Sequence, residues 1–384
     1  MKRKVCVLVT ARPSYSRIKS ALAAIADHPD LELQLVVGAS ALLERYGNAI
    51  HSIEHDGFHV AARVYMILEG ENLVTSAKST GLGLVELATV FDNLKPDVVV
   101  TVADRYETLA TAVAASYMNI PVAHVQGGEV TGSIDEKVRH AVTKLADVHF
   151  VTTKLARERV IKLGERPEMV FQTGCPSVDL AATVAASPAM DFDPFAKYGG
   201  VGERVDLSKG FLVVMQHPVT TEYDEARRQV EETLHAVHDL GLPTLWFWPN
   251  VDAGSDGTSK GIRIFREQYR DTHIHLFRNM LPEDFLRLLC ASSCIIGNSS
   301  VAIRECSFLG VPAVNVGTRQ MGRERGRNVI DVQYGSRAIR GAIERHLSSG
   351  RPPGDTLYGD GHAGQRIADR LATTELTIEK RLTY

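Results

Sequence analysis

Apolar residues along this chain fall into two alternating patterns. Short runs rich in β-branched residues, at 5–10, 31–37, 97–102, 120–125, 148–151 and 169–173, read as buried strands. Between them, segments at 15–26, 83–94, 107–117 and 135–145 place apolar residues on one side of a helix. This alternation predicts βαβ units on a mostly parallel, doubly wound sheet. Residues 182–210 interrupt it with Pro188, Pro194, Gly199, Gly200, Gly202 and Gly210 and read as a linker. The pattern then restarts, with strands at 211–215, 243–248, 273–277, 294–297 and 313–316. Helices are expected near 222–240, 259–269, 283–290, 301–309 and 336–347. A last helical stretch, 364–382, follows the Pro- and Gly-rich loop 350–361. The expectation is an α/β protein of two Rossmann-like domains, 1–182 and 183–363, with 364–384 as a C-terminal helix.

The chain has 384 residues, 44% hydrophobic and 23% charged, so it can bury two ordinary globular cores. A net charge of −3 without clustered base argues against a nucleic-acid partner. No apolar run approaches the roughly 18 residues of a membrane span, so no membrane partner is expected. The apolar run after the basic start, Val5 to Val9, is too short for a signal-peptide core. Cys6, Cys175, Cys290, Cys294 and Cys306 are scattered, and Cys290 and Cys294 lack a second pair that would complete a zinc site. Reduced thiols in a cytoplasmic protein are expected.

Two α/β domains joined by one linker predict a cleft, and ligands of open parallel sheets bind beyond the carboxyl ends of the strands. The residues there are therefore the candidates. After the first strand come Arg12, Pro13 and Ser16; a proline suits a helix start, and an arginine beside it suits a phosphate. Asp104 and Arg105 follow the 97–102 strand, where an aspartate can equally cap the next helix. After 120–125 comes Gln126-Gly127-Gly128-Glu129, then Asp135 and Glu136, with Arg139 and His140 on the same helix face as Glu136. Acids in a first helical turn are favourable without any function. In the second half, 211–215 delivers His217, and the strand at 243–248 runs into Asn250. The run Gly297-Asn298-Ser299-Ser300, followed at once by helix, offers hydroxyls and free N–H groups suited to a diphosphate. Glu305 suits a ribose diol, and Arg319 opens an arginine-rich loop. No Walker loop or HExxH occurs.

The pieces HVQGGEVTGSIDEKVRHAVTKL, QHPVTTE, WPNVDAGS, GNSSVAIRE and GTRQMGRERGRNV, in that order, resemble the hydrolysing UDP-N-acetylglucosamine 2-epimerases. The resemblance runs from Val5 to about Val332. It implies a glycosyltransferase-B-like fold with the nucleotide sugar in the inter-domain cleft. It also implies a homodimer or homotetramer, a terminal helix returning to the first domain, and no metal or redox cofactor. Carried over, Arg12, Ser16 and Arg105 serve the nucleotide, and Asn250 lines its side of the cleft. His217, Ser299, Ser300 and Arg319 contact the diphosphate, and Glu305 the ribose. Asp104, Glu129, Asp135, Glu136 and His217 surround the reacting sugar. Non-hydrolysing relatives carry a glutamate where this chain has Gln126, and a neutral amide cannot take a proton.

The implied reaction converts UDP-N-acetylglucosamine and water to UDP and N-acetylmannosamine, a first step of sialic-acid-type biosynthesis. Loss of UDP with the C2 proton gives a glycal, which then takes up water. That chemistry needs stabilisation of a departing diphosphate and a carboxylate at C2. Which carboxylate is acid and which base stays open. The nearest alternative is the same reaction on a UDP- or GDP-linked 2,4-diacetamido-2,4,6-trideoxyhexose, on a route to legionaminic-type acids. A non-hydrolysing epimerase is disfavoured by Gln126 and the Gly-Asn-Ser-Ser turn. A glycosyltransferase of the same fold and a nucleotide-sugar sensor are the readings from other classes.

Overall fold

The structure is a computed structural model and describes residues 1–44, 49–69, 73–103, 105–131, 134–249, 254–269 and 273–384. Its contacts divide the chain into two units, one of residues 1–129, 134–179 and 358–384, the other of residues 130–133 and 180–357.

The first unit holds strands β1 (Arg3–Val9), β2 (Leu31–Gly38), β3 (Val60–Val64), β4 (Val98–Val102), β5 (Val122–Val125), β6 (Val148–Val151) and β7 (Val170–Gln172). They form a parallel sheet in the order β3-β2-β1-β4-β5-β6-β7. Side chains of a strand alternate between faces, and both faces of this sheet are covered. Val5, Val7 and Val9 join Leu22 and Ile25 of the helix Lys19–Asp27 and Ile367 and Leu371 of the helix Ala363–Thr373. Cys6 and Leu8 join Leu87 and Phe91 of the helix Leu73–Leu94 and Ala110 and Ala114 of the helix Tyr106–Tyr117.

The C-terminal helix docks through a close approach. A Cβ at Gly364 would lie 2.6 Å from the carbonyl carbon of Ser20, so only glycine fits without displacement. Asp179 caps this helix, accepting from the N–H groups of Ala363 (2.9 Å) and Gly364 (2.6 Å) and from the Ser20 hydroxyl (2.8 Å). Helix was expected through 382 but stops at Thr373. Thr373, Thr374, Thr377 and Ile378 are β-branched and disfavour its continuation. The residues after it form no regular element.

The second unit holds β8 (Leu212–Met215), β9 (Thr244–Phe247), β10 (Ile274–Phe277), β11 (Cys294–Gly297), β12 (Ala313–Val316) and β13 (Val329–Val332). This sheet is also parallel, in the order β10-β9-β8-β11-β12-β13. Leu212 and Val214 pack towards Val230, Leu234 and Ile343; Phe211 and Val213 pack towards Leu288, Leu289 and Cys306.

Several expected boundaries shift. Edge strands β3 and β13 were not anticipated, because they bury too little of their length to stand out as apolar runs. The helix Leu73–Leu94 starts ten residues before the expected 83, through Gly81 and Gly83. Gly83 is accommodated because the Met66 methyl fills the place of its missing side chain, 2.3 Å from where a Cβ would be. The expected helix 15–26 is two pieces, Arg12–Ser16 and Lys19–Asp27. The expected helix 222–240 is a 3-10 turn, Thr220–Glu225, followed by Ala226–Leu240. Nor is the stretch 182–210 structureless. The helix Pro176–Ala186 extends into it, and Asp193 caps a short helix, Pro194–Tyr198, which proline starts.

Candidate functional site

In both sheets the first strand lies in the interior. The chain builds outward on one side and then crosses to the other, so strand order reverses between β1 and β4 and between β8 and β11. Such a reversal opens a crevice at the carboxyl ends of the two strands. Arg12 and Ser16 follow β1, Arg105 follows β4, and Glu129 follows the adjacent β5. In the other unit, His217 follows β8, Ser299, Ser300 and Glu305 follow β11, and Arg319 follows β12. Asp104 and Asn250 lie outside the described residues.

In the first unit, Arg12 begins the helix Arg12–Ser16 and is partly buried. Burial lowers its guanidinium from 12.5 to about 10, leaving it cationic at neutral pH. No carboxylate among the described residues pairs with it. The Ser16 hydroxyl donates to the Arg12 carbonyl at 3.4 Å. Arg105 directs its Nε at the fully buried Glu107 carboxylate, 3.3 and 3.4 Å away.

Strand end β5 is gripped from several directions. Gly128 has φ +75°, and a Cβ there would come within 2.2 Å of the Ala156 carbonyl oxygen. That position therefore demands glycine. Glu129 follows and is 5% exposed. Its Oε1 accepts from the Thr152 hydroxyl at 3.0 Å, and its main-chain carbonyl accepts from Arg139 at 2.9 Å. Asp135 and Glu136 occupy the first turn of the helix Ile134–Leu145. Glu136 lies 3.2 Å from the His140 ring and 4.0 Å from Arg139. Gln126, also at positive φ, donates from Nε2 to the Cys175 sulfur at 3.1 Å. Its Oε1 is buried and has no partner among the described residues.

Three residues of these networks were given no role by the sequence. His124, fully buried in β5, meets the Ala103 carbonyl through Nε2 (2.8 Å) and the Thr143 hydroxyl through Nδ1 (3.2 Å). It fixes a residue whose φ of +66° turns the chain out of β4. Arg139 is 1% exposed and donates to the Glu129 main-chain carbonyl. The third is Asn298. A histidine inside an apolar strand and an asparagine directly after a strand-ending glycine were the available signals.

Asn298 organises the second unit's strand ends. Its side-chain oxygen accepts from the His217 N–H, and its side-chain nitrogen donates to the His217 carbonyl, both at 2.8 Å. Its own carbonyl accepts from Arg319 (3.2 Å) and Gln320 (2.8 Å). Gly297, at φ +131°, lets β11 pass β8 closely; a Cβ would come within 2.2 Å of the Met215 carbonyl oxygen. Glu222 accepts from Gln229 (2.7 Å) and from the Thr318 hydroxyl, which ties the loop after β12 to the loop after β8. His217, 6% exposed, thus shares one hydrogen-bonded framework with the Asn298 turn and Arg319.

The helix expected from 301 to 309 is instead a 3-10 turn, Ser300–Ala302, followed by the short helix Glu305–Leu309. An anion at Ser299 and Ser300 would meet hydroxyls and first-turn N–H groups rather than the dipole of a long helix. Glu305 opens the short helix, and its Oε2 is buried without a hydrogen-bond partner among the described residues. A desolvated carboxylate oxygen without a donor is poised for a hydroxyl ligand.

Among the described residues, no cluster of three or more histidine, cysteine or acidic side chains is arranged to hold a metal. No described helix is long and apolar enough to cross a membrane.

The sequence profile of the UDP-N-acetylglucosamine 2-epimerase family matches residues 23–372. A UDP-N,N'-diacetylbacillosamine 2-epimerase (hydrolyzing) of Legionella pneumophila is 32% identical over 98% of this chain and 97% of its own length. The polysialic acid biosynthesis protein P7 of Escherichia coli is 32% identical over 88% of this chain and 84% of its own. The crystal structure of UDP-GlcNAc 2-epimerase from Neisseria meningitidis bound to UDP-GlcNAc superposes with a TM-score of 0.79. That match covers 97% of this chain and 100% of the other at 16% identity, and so concerns the fold, which is glycosyltransferase-B-like. The profile match and the near-full-length identity place this chain in the UDP-N-acetylglucosamine 2-epimerase family of enzymes.

Proposed function

We propose that this enzyme is a hydrolysing 2-epimerase that converts UDP-N-acetylglucosamine and water to UDP and N-acetylmannosamine. The observation that carries the reading is Gln126. Its side chain is neutral, buried and bonded to Cys175, at the position where non-hydrolysing relatives carry a glutamate. It cannot exchange a proton with the sugar, so proton transfer falls to the neighbouring acids Glu129, Asp135 and Glu136, with Asp104.

The proposed chemistry divides by unit. His217, Ser299, Ser300 and Arg319 of the second unit, with Arg12 of the first, bind the diphosphate. Each donor aimed at the departing charge contributes on the order of a few kcal/mol. The C1–O bond breaks, its electron pair leaves with UDP, and positive charge builds at C1. That charge acidifies the C2–H bond enough for a carboxylate to take the proton, leaving a glycal. Water then adds to C1, and a proton returns to the opposite face of C2. Glu305 accepts hydrogen bonds from the ribose hydroxyls, which supplies the partner its buried oxygen lacks. Ser16, Arg105 and Asn250 complete the nucleotide side.

A second reading keeps the reaction and changes the sugar to a 2,4-diacetamido-2,4,6-trideoxyhexose. The Legionella pneumophila relative favours it, being 32% identical across 97% of its length. Chromatography of UDP release from the two nucleotide sugars, offered separately, separates these readings. The proposal expects the larger kcat/KM with UDP-N-acetylglucosamine. A larger value with the diacetamido sugar moves the substrate to the second reading, and no UDP from either overturns the hydrolytic reaction.

A further inference from the structure

We propose that Arg139 is a positioning residue for the epimerase reaction, the buried cation that fixes Glu129 and supports the acid cluster; the inference rests on the function proposed above. An arginine side chain is almost never fully buried unless it is paired, because removing its charge from water is costly. Arg139 is 1% exposed on the helix Ile134–Leu145. Its amphipathic neighbours Val138 and Val142 already supply apolar contacts to the core, so the position does not need a guanidinium for packing alone.

Its contacts explain the choice. One Arg139 nitrogen donates to the Glu129 carbonyl at 2.9 Å and lies 4.0 Å from the Glu136 carboxylate. A single group therefore reaches the peptide of one candidate acid and the side chain of another, seven residues apart along the chain. The strand end is held elsewhere too: Arg159 donates to the Gly128 carbonyl at 3.3 Å, and Thr152 donates to the Glu129 carboxylate at 3.0 Å. Of these groups, Arg139 is the one that also brings positive charge to a second candidate acid, the Glu136 carboxylate 4.0 Å away. It acts through Glu129 and Glu136, by holding their geometry and offsetting their charge.

Such support shows in turnover more than in binding, because a displacement of about 1 Å in a reacting group can cost about 100-fold in rate. Arg139→Met keeps much of the volume and removes the charge and the donors. We expect it to bind UDP like the parent and hold KM within about threefold, while kcat falls about 100-fold. Arg139→Lys, which restores a charge and one donor, should recover at least about tenfold of that loss, since a tenfold rate change requires only about 1.4 kcal/mol. If Arg139→Met does not fold by circular dichroism, Arg139→Gln is read in its place, with the same expected split. A folded variant with kcat within threefold of the parent overturns the inference. So does a loss confined to KM, or an Arg139→Lys enzyme no faster than the Met or Gln variant. These comparisons presuppose a parent that turns over; a parent inactive on both nucleotide sugars counts against the proposed function.

Discussion

At the scale of single residues, the second unit's strand ends depend on one carboxamide. Asn298 makes both main-chain bonds to His217, 81 positions away in sequence, and its carbonyl receives Arg319 and Gln320. Asn298→Ala strips two buried partners from the His217 peptide. It should cost about 1–3 kcal/mol in urea unfolding, and kcat should fall with it because His217 loses its fixed orientation. An unfolding midpoint unchanged from the parent would contradict this role. Glu305 tests nucleotide recognition separately. Glu305→Gln removes the charged acceptor, so UDP affinity measured by calorimetry should weaken about tenfold, the effect of losing roughly 1.4 kcal/mol. Equal affinity would detach Glu305 from the ribose. The place of Glu129 just beyond β5 was legible beforehand, because two glycines and an acid follow closely on an apolar run. The roles of His124, Arg139 and Asn298 were not, because each acts through partners that only folding brings near.

At the scale of elements, the C-terminal tail is joined to the helix that carries Asp135 and Glu136. Lys380 donates to the Thr143 and Ala146 carbonyls at the end of that helix and pairs with Glu165. Glu165 also accepts from Lys144 (2.7 Å) and meets His149 (3.1 Å). Burial alone would raise the Glu165 carboxyl, but hydrogen bonds from His149, Lys144 and Lys380 hold it down at about 2, against 4.5. A depressed acid contributes its stability above 4.5 and loses it as pH falls towards 2. Glu165→Gln should therefore be less stable than the parent at neutral pH, by roughly 1–3 kcal/mol. The gap should close between about pH 4.5 and pH 2 in thermal melts. A gap independent of pH would rule out this linkage. The tail escaped sequence reading because its 364–382 pattern looks helical, and the β-branched residues that end the helix carry no fixed stopping point. Strands β3 and β13 were missed for the opposite reason: half-buried edges leave little apolar signature. The continuous buried strands β4, β5, β11 and β12 were readable almost to the residue.

At the scale of the molecule, the same plan occurs twice: a parallel sheet whose strand order reverses beside its first strand. The alternation of strand and helix made that plan legible, and the strand-end rule then pointed to the crevice residues. Loop conformation was less legible. The Ser299–Ser300 turn was expected to open a helix at 301–309, but Gly297 and the Asn298 bonds commit the chain to a tight 3-10 turn. In the proposed reaction the second unit supplies most of the diphosphate donors, and the first supplies Arg12 and the acids, as expelling UDP while moving a proton requires. The most direct test is proton NMR of the purified protein with UDP-N-acetylglucosamine in D2O. Free UDP together with N-acetylmannosamine deuterated at C2 is the predicted result. UDP-linked product, or free sugar that keeps its original C2 proton, would contradict the account.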